Sequence, residues 1–150
     1  MLVLSHDPHI GDFPENVQSV GLKRLLAESD VLSIHVPLND TTIDLLDSNA
    51  INCMKPGAYL INTARGRIIN EIALLDALQS GHLGGAALDV LSNETGLEGE
   101  WLLNNPLYEY ASKHDNLILT PHIGGAIVEA MAETEMFMAR KLQFYLQSIS

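Results

Sequence analysis

Ala58-Tyr59-Leu60-Ile61-Asn62-Thr63-Ala64-Arg65-Gly66-Arg67 is the stretch on which the reading of this chain turns. An apolar run opens behind Pro56-Gly57, which predicts a buried strand entered from a turn. The run closes on Asn62-Thr63-Ala64-Arg65-Gly66, a polar loop, and a helix is expected from near Asn70. In a sheet covered by helices on both faces, ligands bind in the crevice beyond the carboxyl ends of the strands. Arg65 would stand at that rim, with Gly66 removing side-chain bulk beside it. Its planar fork can grip a carboxylate with two parallel hydrogen bonds. The plainer alternative is a surface arginine paired with an acidic neighbour, and the stretch alone does not separate the two.

Outward from this loop the same alternation repeats. Upstream, Met1-Leu2-Val3-Leu4-Ser5 reads as a strand with no lead-in, which implies that sequence is missing before it. Residues 10–17 read as a polar loop, and Val20 to Glu28 as a short helix with Leu22, Leu25 and Leu26 on one face. Val31-Leu32-Ser33-Ile34-His35-Val36 is a second buried strand, ended by Pro37. Asn39-Asp40-Thr41-Thr42 form a capping cluster, with a short helix expected from Thr42. Asp47 or Ser48 caps the next helix, which stops at Lys55-Pro56-Gly57.

Downstream, Asn70 reads as an N-cap with Glu71 in the first turn, and Gly81 ends that helix. Gly84 to Leu91 is a strand of small residues, expected where a helix packs closely. Residues 92–110 form an acidic connection too long to be only a turn. Leu117-Ile118-Leu119-Thr120 is the fifth strand. The longest helix runs from Ala126 to Leu146, and its stripe of Ile127, Met131, Thr134, Met138, Leu142 and Tyr145 predicts core packing. Five strands alternating with helices give a parallel α/β sheet.

Composition limits the function classes. The chain has 150 residues, 47% hydrophobic and 18% charged, enough for one globular domain. A net charge of −11 with no Lys/Arg cluster opposes nucleic-acid phosphates. The lone cysteine, Cys53, cannot form an internal disulfide and is expected to be a small core residue. No apolar run reaches membrane-span length and no signal peptide precedes the first strand, so the expectation is a soluble, cytoplasmic protein without membrane partners. His6 and His9 lack a third ligand at suitable spacing, and no metal site is expected.

Three strand ends each deliver one chemically suggestive side chain: Arg65, Glu94 and His122. Histidine titrates near neutral pH, so His122 could give or take a proton at a hydroxyl or carbonyl oxygen. A carboxylate on its far nitrogen would fix the tautomer and favour the protonated ring, and Glu94 is the candidate. Arg65 would hold an acidic substrate and polarise its carbonyl. The set fits hydride transfer between a nicotinamide and an oxo-acid. His122 as a helix-capping residue and Glu94 as a solvated loop acid are the plainer alternatives.

Arg65 and His122 belong to two of six longer segments: Leu26-Ala27-Glu28-Ser29-Asp30-Val31, His35-Val36-Pro37-Leu38, Met54-Lys55-Pro56-Gly57-Ala58, Asn62-Thr63-Ala64-Arg65-Gly66, Ala87-Leu88-Asp89-Val90 and Thr120-Pro121-His122-Ile123-Gly124-Gly125. In that order they resemble the nucleotide-binding domain of the D-isomer-specific 2-hydroxyacid dehydrogenases. The resemblance implies NAD as cofactor and a small 2-oxo or 2-hydroxy acid as substrate. It implies catalytic roles for Arg65 (substrate binding), Glu94 (partner of the histidine) and His122 (acid/base). It further implies that Asp7 meets the adenosine ribose and that Val36, Pro37, Thr42, Thr63, Ala64, Arg65, His122, Gly124 and Gly125 line the cofactor. Asp89 would lie near the nicotinamide carboxamide. Asp7, a carboxylate, favours NAD over NADP; by local sequence alone it is equally a turn-former before Pro8.

The chain also departs from the family. It contains no Gly-x-Gly-x-x-Gly, which the family carries one helix before the strand that opens here. The expected fold is therefore a partial Rossmann-like doubly wound parallel sheet lacking the first strand and the glycine-rich loop. Residues 1–150 would be an incomplete NAD-binding domain, and the helix at about 126–147 would return toward a missing substrate domain. In the usual strand order the first strand is central, so its loss would separate the sheet into halves and remove the amides that hold the pyrophosphate. Thr95 also stands after Glu94, where the family usually has proline. The expectation is an enzyme family member inactive as this chain alone, and a homodimer at full length. The alternative is a non-catalytic dinucleotide-binding scaffold of the corepressor type, and a third possibility is a remnant that assembles with itself through exposed strand edges.

Overall fold

The computed structural model describes residues 2–94, 100–125 and 128–148. The chain divides into two compact units, residues 1–120 and 121–150. The first unit holds every strand found among the described residues. Val3–Ser5 (β1) and Val17–Ser19 (β2) pair in parallel, Val3 opposite Val17. Val31–Ile34 (β3), Tyr59–Asn62 (β4), Gly85–Leu88 (β5) and Leu117–Leu119 (β6) form a second parallel sheet in the order β3-β4-β5-β6. No strand pairing joins β1 to β3. The parallel sheet is thus in two pieces, as the absence of a central first strand predicts.

The register of the larger sheet aligns the carboxyl ends. Ile34 stands opposite Asn62, Asn62 opposite Leu88, and Leu88 opposite Leu119. Side chains alternate across a strand, so Leu32, Leu60, Ala86 and Leu117 share one face with that row. That face is buried beneath helices Leu22–Glu28 (α1), Ser48–Asn52 (α2), Glu71–Gln79 (α3) and Pro106–Ala111 (α5), which supply Leu26, Ile51, Leu74, Leu78, Leu107 and Tyr110 to one core. A short helix, Glu100–Leu103 (α4), precedes α5. The opposite face carries Val31, Tyr59 and Ile118, exposed at 55%, 53% and 60%. Parallel sheets usually have both faces covered; within the first unit this one does not.

Capping follows the sequence closely in places. Asp47 caps α2 and Asn70 caps α3, each side chain accepting from the backbone N–H three residues on. Elsewhere the structure corrects the sequence reading. β2 lies in the stretch from Val17 to Ser19, and the helix begins only at Leu22. Val17, half-buried, and Gln18 and Ser19, exposed, carry no apolar run to announce a strand. No helix starts at Thr42. Residues 39–45 are turns, because the Asn39 carbonyl and side chain accept from Thr42 N, Ile43 N and Thr41 N and so satisfy the backbone locally.

Gly84 and Gly85 are small for a different reason than helix packing. A Cβ on Gly84 would meet the Gly57 carbonyl oxygen at 2.6 Å, and one on Gly85 would meet the Asn116 oxygen at 2.9 Å and the Tyr59 ring at 3.1 Å. Cys53, expected in the core, is exposed at the end of α2.

The second unit contains one described helix, Val128–Ser148 (α6). Its predicted core stripe is exposed: Met131, Thr134, Met138, Leu142 and Tyr145 all face solvent, and Ile127 falls outside the described residues. A three-to-four spacing marks a helix face that could bury apolar surface; it does not supply the partner. Among the described residues no helix is long and apolar enough to cross a membrane.

Candidate active site

The rim begins with a buried polar residue. Asn62 closes β4 fully out of solvent, so each of its amide groups requires a partner. Its Oδ1 accepts from Ala64 N at 3.0 Å and its Nδ2 donates to the Arg65 carbonyl at 2.9 Å. Its own carbonyl accepts from Asp89 N at 2.9 Å. The Asn62 side chain therefore folds the turn Thr63-Ala64-Arg65, and its backbone carbonyl ties the end of β4 to the end of β5. Sequence reasoning missed this role, although a polar residue ending the run Tyr-Leu-Ile-Asn was the available signal.

Arg65 projects from that turn into solvent. Its Nη1 donates to the Ala64 carbonyl at 2.6 Å, and among the described residues no carboxylate lies within ion-pairing distance. Gly66 follows in a single 3₁₀ turn, Gly66–Ile68. A Cβ on it would lie 2.0 Å from the Leu91 carbonyl carbon and 2.3 Å from Ser92 N. The glycine lets the loop after β4 touch the loop after β5.

That second loop carries Asp89 and Glu94. Asp89 is buried, and its Oδ1 accepts from the Thr120 hydroxyl at the end of β6. Asn93 adopts a left-handed backbone with φ 62, which turns the chain so that Glu94 Oε2 accepts from Leu91 N at 3.2 Å. Arg65 and Glu94 thus stand on adjoining loops packed at Gly66. On the other side of β4, the Thr42 hydroxyl donates to the Pro37 carbonyl at 2.7 Å, which gathers Val36, Pro37 and Thr42 into one turn after β3.

The remaining candidates belong to the β1 strand end and to the second unit. Asp7 follows β1, and its Oδ1 accepts from His9 N at 2.8 Å, the turn-forming geometry that local sequence allowed. His122, Gly124 and Gly125 belong to the second unit. His122 is exposed with φ 54, a left-handed conformation uncommon for a residue with a side chain. Among the described residues no group of His, Cys, Asp and Glu could hold a metal ion.

Residues 1–124 match the family described as D-isomer specific 2-hydroxyacid dehydrogenase, NAD binding domain. The chain is 44% identical to D-3-phosphoglycerate dehydrogenase of Escherichia coli over 124 residues, covering 83% of this chain and 29% of that protein. The structure of D-2-hydroxyisocaproate dehydrogenase is similar with a TM-score of 0.83 at 32% identity, covering 99% of this chain and 46% of that one. That of D-lactate dehydrogenase from Aquifex aeolicus, complexed with NAD and lactic acid, is similar with a TM-score of 0.76 at 29% identity, covering 99% of this chain and 47% of that one. The chain spans less than half the length of these relatives. With the segment order, the parallel sheet and the profile match in agreement, the chain belongs to the D-isomer-specific 2-hydroxyacid dehydrogenases, and residues 1–124 are NAD-binding-domain sequence.

Proposed function

We propose that the protein to which these residues contribute transfers hydride between NAD and a small 2-oxo or 2-hydroxy acid. The observation that carries this reading is Arg65: an exposed guanidinium on a turn fixed by buried Asn62, with no carboxylate partner among the described residues. Arg65 takes the substrate carboxylate in a two-pronged grip and draws charge toward the adjacent carbonyl. His122 gives a proton to the carbonyl oxygen during reduction and removes it from the hydroxyl during oxidation. Glu94 holds the imidazole tautomer. The dehydrogenase names of the relatives favour this over a non-catalytic scaffold.

The residues present suit the two ends of the cofactor. Asp7 offers a carboxylate to ribose hydroxyls and disfavours a 2′-phosphate, which selects NAD over NADP. The polar groups of Thr42, Thr63 and Asp89, the backbone of Val36, Pro37 and Ala64, and the bare Gly124 and Gly125 line the rest. When bound, the nicotinamide supplies or accepts the hydride. The pyrophosphate has no glycine-rich turn at a helix N-terminus to rest on in this sequence. Residues 1–150 by themselves are therefore expected to bind NAD weakly and to turn over nothing measurable. A cytoplasmic setting, a homodimer at full length, and a substrate domain that receives the apolar stripe of α6 complete the reading.

The test is a titration of the ¹⁵N-labelled chain with NADH and then oxamate, a non-reacting 2-oxo acid analogue. Amide shifts confined to residues 7, 36–42, 63–65, 89 and 122–125 with NADH, and an Arg65 Nε shift with oxamate, are expected. Shifts mapping elsewhere, or none at saturating millimolar ligand, overturn it.

A further inference from the structure

Glu71 has a conventional reason to be where it is: an acid in the first turn of a helix is favoured by the helix dipole. Its contacts go further. Oε1 accepts from Ser92 N at 2.5 Å, and Oε2 accepts from Asn105 Nδ2 at 3.1 Å. Residues 92 and 105 are the two stems of the connection that carries Glu94. Asn105 is buried, and its Oδ1 is committed to capping α5, accepting from Leu107 N at 2.8 Å and Tyr108 N at 3.3 Å. Only its N–H group is left to face Glu71. The Leu91–Ser92 peptide is gripped from two sides, by contact with Gly66 and by the bond to Glu71. Leu91 N is the group that Glu94 accepts from.

We propose that Glu71 is the positioning residue of the Glu94 loop, stapling both of its stems to the start of α3 with one carboxylate. A carboxylate suits this task because both oxygens accept and neither donates. A glutamine in its place offers one oxygen and turns an NH₂ group toward the second donor. α3 is a firm base for the staple, since Asn70 caps it and Leu74 is fully buried. The inference rests on Glu94 acting with His122 for its bearing on catalysis; the staple itself does not depend on that reading.

The test uses amide proton shifts and exchange rates in the labelled 150-residue chain, with Glu71→Gln and Asn105→Asp. The second variant keeps the α5 cap, because its oxygen still accepts, and replaces the N–H aimed at Glu71 by a carboxylate oxygen that repels it. In Glu71→Gln, Ser92 is expected to exchange about tenfold faster, and the Leu91 amide, which reports the Glu94 bond, to shift although no hydrogen bond joins it to Glu71. Asn105→Asp is expected to shift both amides as well, while β4 and β5 keep their protection in either variant. Unmoved Leu91 and Ser92 amides, or changes confined to Ala73 and Leu74 at the start of α3, overturn the proposal. If Glu71→Gln fails to fold, the same readout in Asn105→Asp decides. No cofactor enters this experiment, so its failure and that of the NADH and oxamate titration are told apart.

Discussion

Gly66 lies against Leu91 so closely that a Cβ on it would come within 2.0 Å of the Leu91 carbonyl carbon. The atom met is backbone at the end of a buried strand–loop segment, and it cannot swing aside as a flexible side chain would. Gly66→Ala is therefore expected to force the Arg65 and Glu94 loops apart and to destabilise the first unit by about 3 kcal/mol, the upper end of overpacking costs. Urea unfolding followed by circular dichroism measures this as a lower midpoint.

Asn62 predicts a different kind of loss. Asn62→Leu fills similar space but leaves the Ala64 N–H and the Arg65 carbonyl without their partner. Unsatisfied groups of this kind cost roughly 1–3 kcal/mol each when buried, and solvent near the turn should keep the sum at the low end. The same urea experiment reads it. Faster exchange of the Ala64 amide would locate the damage.

Arg65 should separate stability from binding. Its side chain is exposed, so Arg65→Lys is expected to change stability by less than about 0.5 kcal/mol. Lysine keeps the charge but loses the two-pronged grip. The oxamate-induced shifts are expected to fall at least about tenfold in apparent affinity, the discrimination of a lost charge-assisted hydrogen bond. Comparing urea midpoints with oxamate titrations checks both halves.

The sheet face left bare within the first unit should make the chain adhesive. Val31 and Tyr59 are paired in register, and Ile118 lies on the same face two strands away. Exposed apolar surface of this kind drives self-association. The chain is expected to bind the dye ANS and to sediment above monomer mass. Val31→Lys with Ile118→Lys should reduce both signals without lowering the urea midpoint.

The sequence was most readable where local chemistry and tertiary packing agree. The strand-and-loop stretch around Arg65, the Asp47 and Asn70 caps, and the halving of the sheet follow from apolar runs, capping residues and a missing glycine loop. β2 escaped because three residues, two of them exposed, have no period to detect. The turn at Thr42 escaped because an Asn-led hydrogen-bond cluster looks the same before a helix as before a turn. The α6 stripe was correctly seen as helical but is exposed rather than packed in this chain, since spacing reveals a face and not its neighbour. The grip of Glu71 on Ser92 and Asn105 joins residues 21 and 34 positions apart, which no local pattern encodes.

The separate pairing of β1 with β2 also divides the molecule in time. Two strands of three residues each make a marginal sheet on their own, whereas β4 sits between partners over a fully buried Leu60. Fluctuations that release the amino-terminal ribbon cost far less than those that open the central strands. Asp7 rides on the more weakly held piece and the Arg65 turn on the more firmly held one, so any ligand that touched both would meet two surfaces opening at different rates.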